Sequence, residues 1–329
     1  MRNRETSRCF LRWIFLGVSC VFTLPLLAQT DMPGFSLKMP DVKPAKKPKS
    51  EKWAFSLLPV GLQRNPQVDY TIVTEMTDEG RKLPDPSFSN PVYYIAHSQG
   101  QTDVGRAYGG TRPVQFAYLE MQLYSSLASN GYRRVDPERP DPEHPPTQVL
   151  FFTWGMFNNG INEDSEFHIR GNLNSRAKLI GGQKFAEQFA QALRDDRAWG
   201  GGGPNGHGPM RDFAERDETT ETLVYAVYNE CYYLLVTSLE VEALTQHQRK
   251  VLWTTKITTI AQGVNFKATL PIMIQNASYF FGRETNGPEI LTKRAYKRAN
   301  VEIGEATVVE FAPSTSGTTS TSGTATRKR

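Results

Sequence analysis

Two long runs of β-branched and aromatic residues, joined by a short polar stretch, constrain the fold of this 329-residue chain more than any other feature. The first run covers residues 232–244, and its alternate positions, among them Tyr233 and Leu235, share one side. The second run covers residues 251–260, and residues 245–250 between them are all polar. We therefore predict a strong antiparallel hairpin, and with it a β-sheet.

Shorter runs of the same composition predict the other strands of this sheet. A Pro/Asp/Ser-rich stretch over residues 82–91 and a Pro-rich stretch over residues 137–146 separate some of them, as loops do. The remaining predicted strands cover residues 53–60, 68–74, 92–97, 149–154, 223–229, 290–296 and 306–311.

Three amphipathic patterns predict helices, over residues 114–130, 175–196 and 267–281. In the first helix, Leu119, Leu123 and Leu127 recur at helical spacing and lie on one face. Gly181 and Gly182 weaken the first third of the second helix, because glycine is a poor helix former.

The order of these elements indicates the fold class. Each half of the chain has strands, then one helix, then a strand, which is typical of α+β proteins. We predict an α+β domain over residues 53–312, with a mainly antiparallel sheet and helices packed on one face. Residues 157–220 are predicted to be a helical insertion in this domain.

Residues 1–28 are predicted to be a secretory signal peptide. Four arginines precede a nearly pure apolar run over residues 13–27, and the small residue Ala28 ends it. The run is shorter than the ~20 residues of a membrane-spanning helix, and Pro25 interrupts it. We expect cleavage between Ala28 and Gln29 and export to the periplasm. An uncleaved anchor and a lipoprotein modified at Cys20 are the alternatives, and outer-membrane association stays open.

Cleavage would leave a chain with one thiol. Cys9 and Cys20 lie in the leader, and only Cys231 lies beyond it. An intramolecular disulfide is then excluded, and the exported domain must be held by its core alone. No cation or base is indicated beside Cys231, so we expect a buried, unreactive thiol.

Positive charge is concentrated in the flanks of the chain. The formal charge is +4, but residues 53–312 hold 25 basic and 30 acidic side chains. Nucleic acid is excluded as a partner, because its binding needs a basic folded surface. The Pro/Lys-rich residues 29–52 predict an extended linker, or a peripheral tether to an anionic membrane surface. The Ser/Thr/Gly-rich residues 313–329 are predicted to be a disordered tail.

A glycine-rich loop between a predicted strand and a predicted helix is the one candidate binding site. Backbone N–H groups at the start of a helix can hold an anion. The lysine of a phosphate-binding loop is absent, so arginines would supply the charge. A plain connecting loop is the competing interpretation. The candidate anion-binding residues are Arg106, Gly109, Gly110, Thr111 and Arg112.

No motif predicts a catalytic, metal or cofactor site. The glycine spacing of a dinucleotide fingerprint occurs at residues 201–206, but it follows a helix and contains Pro204. The acidic residues before His168 lack the other features of a calcium loop. We therefore predict no catalytic residue, no metal ligand and no cofactor.

Several features from Leu119 onward occur in a recognisable order. One helix ends in Ser-Asn-Gly-Tyr132, and a Pro/Asp stretch leads to the apolar strand 149–154. A later strand opens with Lys-Val-Leu-Trp253, and a last helix ends in Phe280-Phe281. This order resembles the small α+β domain of uncharacterised bacterial envelope lipoproteins, a domain-of-unknown-function family. The resemblance covers about half the chain and implies a location and a fold, without catalytic residues. This chain departs from the family in its poor lipidation cysteine, its insertion and its tail.

The predicted function is that of an exported envelope protein acting by non-enzymatic binding or structural interaction. Its partner would be an unknown envelope component or a small ligand. The alternative is a periplasmic hydrolase or transferase whose site assembles from residues distant in sequence.

Overall fold

The computed structural model describes residues 43–50, 63, 66–103, 116–139, 141–157, 166–198 and 208–294. The strands are β1 Gln67–Met76, β2 Val92–Gln101, β3 Tyr132–Arg134, β4 Gln148–Phe157, β5 Cys231–Glu240, β6 Val251–Ile260 and β7 Glu289–Arg294. The helices are α1 Asp78–Arg81, α2 Phe116–Ala128, α3 Glu166–Ala198, α4 Pro209–Ala214, α5 Glu218–Tyr228, α6 Val241–Thr245 and α7 Phe266–Ala277, followed by a 3-10 helix, Ser278–Phe280. Within these ranges, no helix has the length and apolarity needed to cross a bilayer.

Some predictions concern residues outside the described ranges, and they stay predictions. These are the leader 1–28, the strands 53–60 and 306–311, the loop 201–206, the tail 313–329 and much of the linker 29–52.

The seven described strands form one sheet in the order β3-β2-β4-β5-β6-β1-β7. β4, β5, β6, β1 and β7 pair antiparallel, and in the predicted hairpin Leu234 lies opposite Ile257. β2 is parallel to both β3 and β4. The sheet is thus mixed rather than purely antiparallel. The reason is that α2 carries the chain from the end of β2 back to the start of β3, which imposes a parallel pair.

Helices cover both faces of this sheet. α2 and α7 pack together on one face and enclose Tyr70, Ile72 and Leu234 in the larger core. α3, α4 and α5 form a layer on the other face, around Phe189. The prediction that helices pack on one face was wrong, because the central strands are apolar on both sides. In β1, Ile72 contacts the first layer and Val73 lies beneath α3.

The predicted strand over residues 223–229 is wrong, since these residues belong largely to helix α5. Asp217 caps this helix, and its carboxylate accepts a hydrogen bond from the Thr220 N–H at 2.8 Å. Leu223 and Val227, four residues apart, are both buried. A short apolar run fits both the two-residue period of a strand and the ~3.6-residue period of a helix. Here the acidic cap that precedes the run starts a helix.

The connection between β5 and β6 contains a helical turn. β5 ends at Glu240, earlier than predicted, and the chain continues as α6. Two hydrogen bonds close the end of α6, from the Gln248 N–H to Ala243 O (2.9 Å) and from the His247 N–H to Leu244 O (3.0 Å). This is a Schellman motif, and it places His247 in the left-handed region, at φ 60°.

α3 is divided in two by a kink at Gly182, where φ is 83°. A Cβ atom at this position would be strained and would lie 2.8 Å from Glu75 Oε1. Glu75 accepts a hydrogen bond from the Gln183 N–H at 2.5 Å. Lys256 Nζ donates to Lys178 O (2.9 Å) and to Glu75 Oε2 (2.6 Å). The sheet thus provides partners for one carbonyl oxygen and one N–H group at the kink.

The Lys256–Glu75 pair is largely enclosed, with 7% of the lysine side chain exposed and 35% of the glutamate side chain. Burial acts to raise the pKa of Glu75. The hydrogen bonds from Lys256 and Gln183 outweigh burial, and the pKa of Glu75 lies below its ordinary value of 4.5. Ionised Glu75 therefore stabilises the fold above pH 4.5, and this contribution is lost as the pH falls through the lower folded pKa.

Replacing Lys256 by Met tests the role of this pair. We expect the free energy of unfolding at neutral pH to fall by about 2 kcal/mol, less than the ~3–5 kcal/mol for a fully buried pair because Glu75 is partly exposed. The variant should also lose less stability on acidification than the wild type, because the pKa of Glu75 is no longer held as low. Denaturant unfolding at neutral and acidic pH measures both effects.

Lys250→Met is the matched control for this experiment. Lys250 lies directly before β6 in the same hairpin and pairs with Glu240 at 2.9 Å, but both side chains are accessible to water. We expect its unfolding midpoint to stay close to that of the wild type. Equal losses in the two variants would contradict the role given to Lys256.

Candidate functional site

The sequence-predicted anion site lies outside the described residues, which end at Asp103 on one side and resume at Phe116 on the other. Arg106, Gly109, Gly110, Thr111 and Arg112 therefore stay a prediction, without a geometry. The described residues before this loop are well held. Asp103 accepts hydrogen bonds from the Met156 N–H at 2.9 Å and from Gln101 Nε2 at 3.0 Å. The loop thus leaves the sheet where the parallel strands β2 and β4 end side by side, a common location of binding loops.

The described residues form a cavity of about 470 Å³ elsewhere, between the end of β1 and the start of β7. We call it the β1–β7 groove. Its lining combines the aromatic pair Tyr279 and Phe280 with charged side chains of both signs. The charged lining residues are Lys47, Arg81, Asp85, Arg283, Glu284 and Glu289.

Thr74 of β1 positions the floor and one wall of the groove. Its fully buried hydroxyl group donates to Phe280 O at 2.8 Å. Its backbone N–H donates to Thr285 Oγ1 at 3.0 Å, and its carbonyl oxygen accepts from the Thr285 N–H at 3.0 Å. The 3-10 helix and the segment after it are thus fixed to the sheet by one β1 residue.

Gly282 lets the chain turn between these two attachments. Its φ is 68°, and a Cβ atom would lie 1.9 Å from the Tyr132 hydroxyl oxygen. The backbone therefore passes too close to Tyr132 for any side chain at this position. The turn directs Arg283 and Glu284 into the groove wall.

Ion pairs hold the α1 side of the groove. Arg81 Nε donates to Glu284 Oε2, and its Nη1 atom donates to Asp78 Oδ1, each at 2.8 Å. The Arg81 guanidinium lowers the pKa of Glu284. These groups are exposed, so their contribution is to orientation more than to stability.

The opposite side of the groove is formed by the segment 43–50. Lys47 Nζ donates to Glu289 Oε1 at 2.8 Å and lies 5.9 Å from the centroid of the Phe280 ring. The Glu289 carboxylate raises the pKa of Lys47 through this hydrogen bond. Two further bonds attach the segment, from the Ala45 N–H to Ser129 O (2.9 Å) and from the Thr292 N–H to Ser50 Oγ (3.3 Å).

Arg283 differs from the other cations of the groove. Its guanidinium group lies over the Tyr279 ring, 4.6 Å from the centroid, and donates to Tyr279 O at 3.3 Å. No carboxylate among the described residues forms an ion pair with it. A guanidinium held over an aromatic ring keeps donors free for an incoming carboxylate or phosphate. Arg283 is therefore the group best placed to bind an anionic ligand atom.

Other titratable groups of interest are engaged in the fold. Burial raises the pKa of the Cys231 thiol to about 12, so the thiol is protonated at neutral pH, as predicted for a buried strand cysteine. Within the part of the chain that the structure describes, no group of three or more His, Cys, Asp or Glu side chains could hold a metal ion.

Comparison with known proteins found no matching family model, no matching curated sequence and no matching solved structure.

Sequence patterns missed the β1–β7 groove because its residues come from distant segments. Lys47, Arg81 and Arg283 belong to a linker, a short helix and a turn, which only the sheet brings together. The closest sequence clue is the run Tyr279-Phe280-Phe281-Gly282-Arg283, in which aromatics precede a glycine turn and a cation. Such a run is also typical of an ordinary helix end, so it does not indicate a site by itself.

Replacing Thr74 by Val tests how the groove is held. The variant leaves Phe280 O without its donor, so we expect a loss of about 1–3 kcal/mol in the free energy of unfolding. Hydrogen exchange should also accelerate over residues 279–286 more than in the strands of the sheet. Thr258→Val is the control, because this buried β6 residue makes no side-chain hydrogen bond with the described residues. Unchanged exchange at residues 279–286 would contradict the positioning role of Thr74.

Proposed function

We propose that this chain is an exported envelope protein that acts by binding, without a chemical step. Its ligand is a carboxylate-bearing small molecule or an exposed segment of an envelope component, held in the β1–β7 groove. The order of features in this chain resembles that of the α+β domains of bacterial envelope lipoproteins. We propose that this domain shares their role and location.

The observation that carries this proposal is Arg283. Its guanidinium lies on Tyr279 at 4.6 Å, inside a cavity of about 470 Å³, while neighbouring Arg81 is already paired with Glu284. A cavity of this size lies within the ~300–1,000 Å³ range of small-ligand sites. Aromatic surface with one unneutralised arginine suits a ligand that has an apolar body and a carboxylate.

The leader supports export as the setting for this binding. Residues 1–28 have the basic start, the apolar run and the final small residue of a secretory signal. The acidic composition of residues 53–312 supports partners other than nucleic acid. The Lys-rich linker supports at most a peripheral contact with an anionic membrane surface.

Export is tested by fractionating bacterial cells that express the full chain and measuring the intact mass of the recovered protein. We expect periplasmic protein that begins at Gln29. Cys20→Ser is the control for lipidation and should leave the mass of the mature protein unchanged, because Cys20 is removed with the leader. Cytosolic protein that retains residues 1–28 would contradict export, and a mature chain beginning at Cys20 would contradict the soluble form.

Binding is tested by titrating Nα-acetylalanine against the mature protein and following the backbone NMR signals of residues 279–289. The uncharged amide of the same compound should bind at least about tenfold more weakly, because it lacks the charge-assisted hydrogen bond to the guanidinium. Arg283→Gln should remove this preference.

Arg216→Gln is a matched control for the binding test. Arg216 also lies over an aromatic ring, 5.2 Å from the centroid of Phe213, but in the helical layer on the other face of the sheet. We expect it to bind the carboxylate as the wild type does. Equal behaviour of the two arginine variants, or signal changes confined to residues that do not line the groove, would contradict the assignment of the groove.

A further inference from the structure

The Lys47 side chain of this protein occupies a position that is built to receive an alkylammonium group. Its Nζ atom is 2.8 Å from Glu289 Oε1 and 5.9 Å from the centroid of Phe280. A carboxylate on one side and the face of an aromatic ring on the other are the two elements by which proteins recognise ammonium groups. Phe280 is 3% exposed, so the ring that faces the ammonium is fixed in the core.

The contact holding Lys47 in this position is a weak one. The side chain of Lys47 is 55% exposed and that of Glu289 is 34% exposed, so water and salt compete with the pair. The segment 43–50 has no helix or strand of its own, and it is attached through Ala45 and Ser50 on either side of the lysine. Lys47 can therefore leave the position without disturbing an element of the fold.

The ammonium position and Arg283 line the same cavity. The groove thus offers the Glu289 carboxylate beside the Phe280 ring. It also offers the Arg283 guanidinium, which has no carboxylate partner among the described residues. The two together match a ligand that carries an ammonium group and a carboxylate. The third cation of the groove, Arg81, is held by Glu284 and does not take part.

We propose that Glu289 and Phe280 form an ammonium subsite of the β1–β7 groove, which Lys47 occupies as a tethered internal competitor. The ligand class is then a zwitterion with a primary ammonium group and a carboxylate. A lysine derivative with a free side-chain ammonium group and a free carboxylate is an example. This inference rests on the proposed function in one respect, that the groove binds a ligand through Arg283.

A tethered competitor lowers the apparent affinity for a free ligand by the fraction of molecules in which the subsite is open. Because the Lys47 contact is exposed, we expect its removal to tighten ammonium binding modestly, by about fivefold. A ligand without the ammonium group should gain no affinity from the removal.

The probe is Nα-acetyllysine, and the reference compound is Nα,Nε-diacetyllysine, which keeps the carboxylate and loses the ammonium charge. Both are titrated against the wild type, Lys47→Gln and Lys46→Gln. Lys46 is the matched control, since it is an exposed neighbour in the same segment without an ion pair to the described residues. We expect Lys47→Gln to bind Nα-acetyllysine about fivefold more tightly than the other two, with no gain in the binding of diacetyllysine.

A second variant tests the subsite itself. Glu289→Gln, combined with Lys47→Gln, should bind the two compounds with equal affinity, because the carboxylate that distinguishes them is gone. Equal affinity of Lys47→Gln and Lys46→Gln for Nα-acetyllysine would overturn the inference. A preference for the free ammonium that survives Glu289→Gln would also overturn it.

The failure of this inference is distinguishable from the failure of the proposed function. If diacetyllysine binds in an Arg283-dependent way and the Lys47 variant gains nothing, the ammonium subsite is wrong and the carboxylate groove stands. If neither compound binds any variant, both proposals are wrong.

Discussion

A lysine and a glutamate on neighbouring strands join the sheet of this protein to the helical layer that contains α3. Lys256 and Glu75 lie beneath the kink of α3, where one helical segment ends and the next begins. The ammonium meets a carbonyl oxygen at the end of the first segment, and the carboxylate meets an N–H at the start of the second. A cation at the C-terminal end of a helical segment and an anion at the N-terminal end of the next both complement the partial charges of those helix ends. The pair thus makes a bend at Gly182 compatible with burial of the helix against the sheet.

β1 connects this helical layer to the candidate site on the other face. Thr74 and Glu75 are consecutive, so their side chains leave the strand on opposite sides. Thr74 holds the 3-10 helix and Thr285, which carry the wall of the β1–β7 groove, while Glu75 holds α3. Two adjacent residues of one strand therefore position the ligand-facing wall and the supporting layer. A change in the pairing register of β1 would disturb both at once.

Sequence patterns predicted the elements whose residues are local. The β5–β6 hairpin and helix α2 were predicted from alternation and from the spacing of Leu119, Leu123 and Leu127, and the structure contains both. The failures come from short or two-sided patterns. The run from Leu223 fits both periods, and Asp217 makes it a helix. We predicted a helical layer on one face of the sheet. The central strands carry apolar residues on both sides, and helices cover both faces.

The amino-acid sequence by itself determined which segments are strands or helices wherever apolar periodicity extends over more than about two turns or several alternations. It also predicted a buried, unreactive thiol at Cys231, and burial raises the pKa of this thiol in the structure. Only the tertiary structure decided the mixed pairing of β2, the second helical layer and the groove of Lys47, Glu289 and Arg283. These depend on contacts between residues that lie 40 (Val92 and Tyr132) to 242 (Lys47 and Glu289) positions apart, and local patterns carry no information about such pairs.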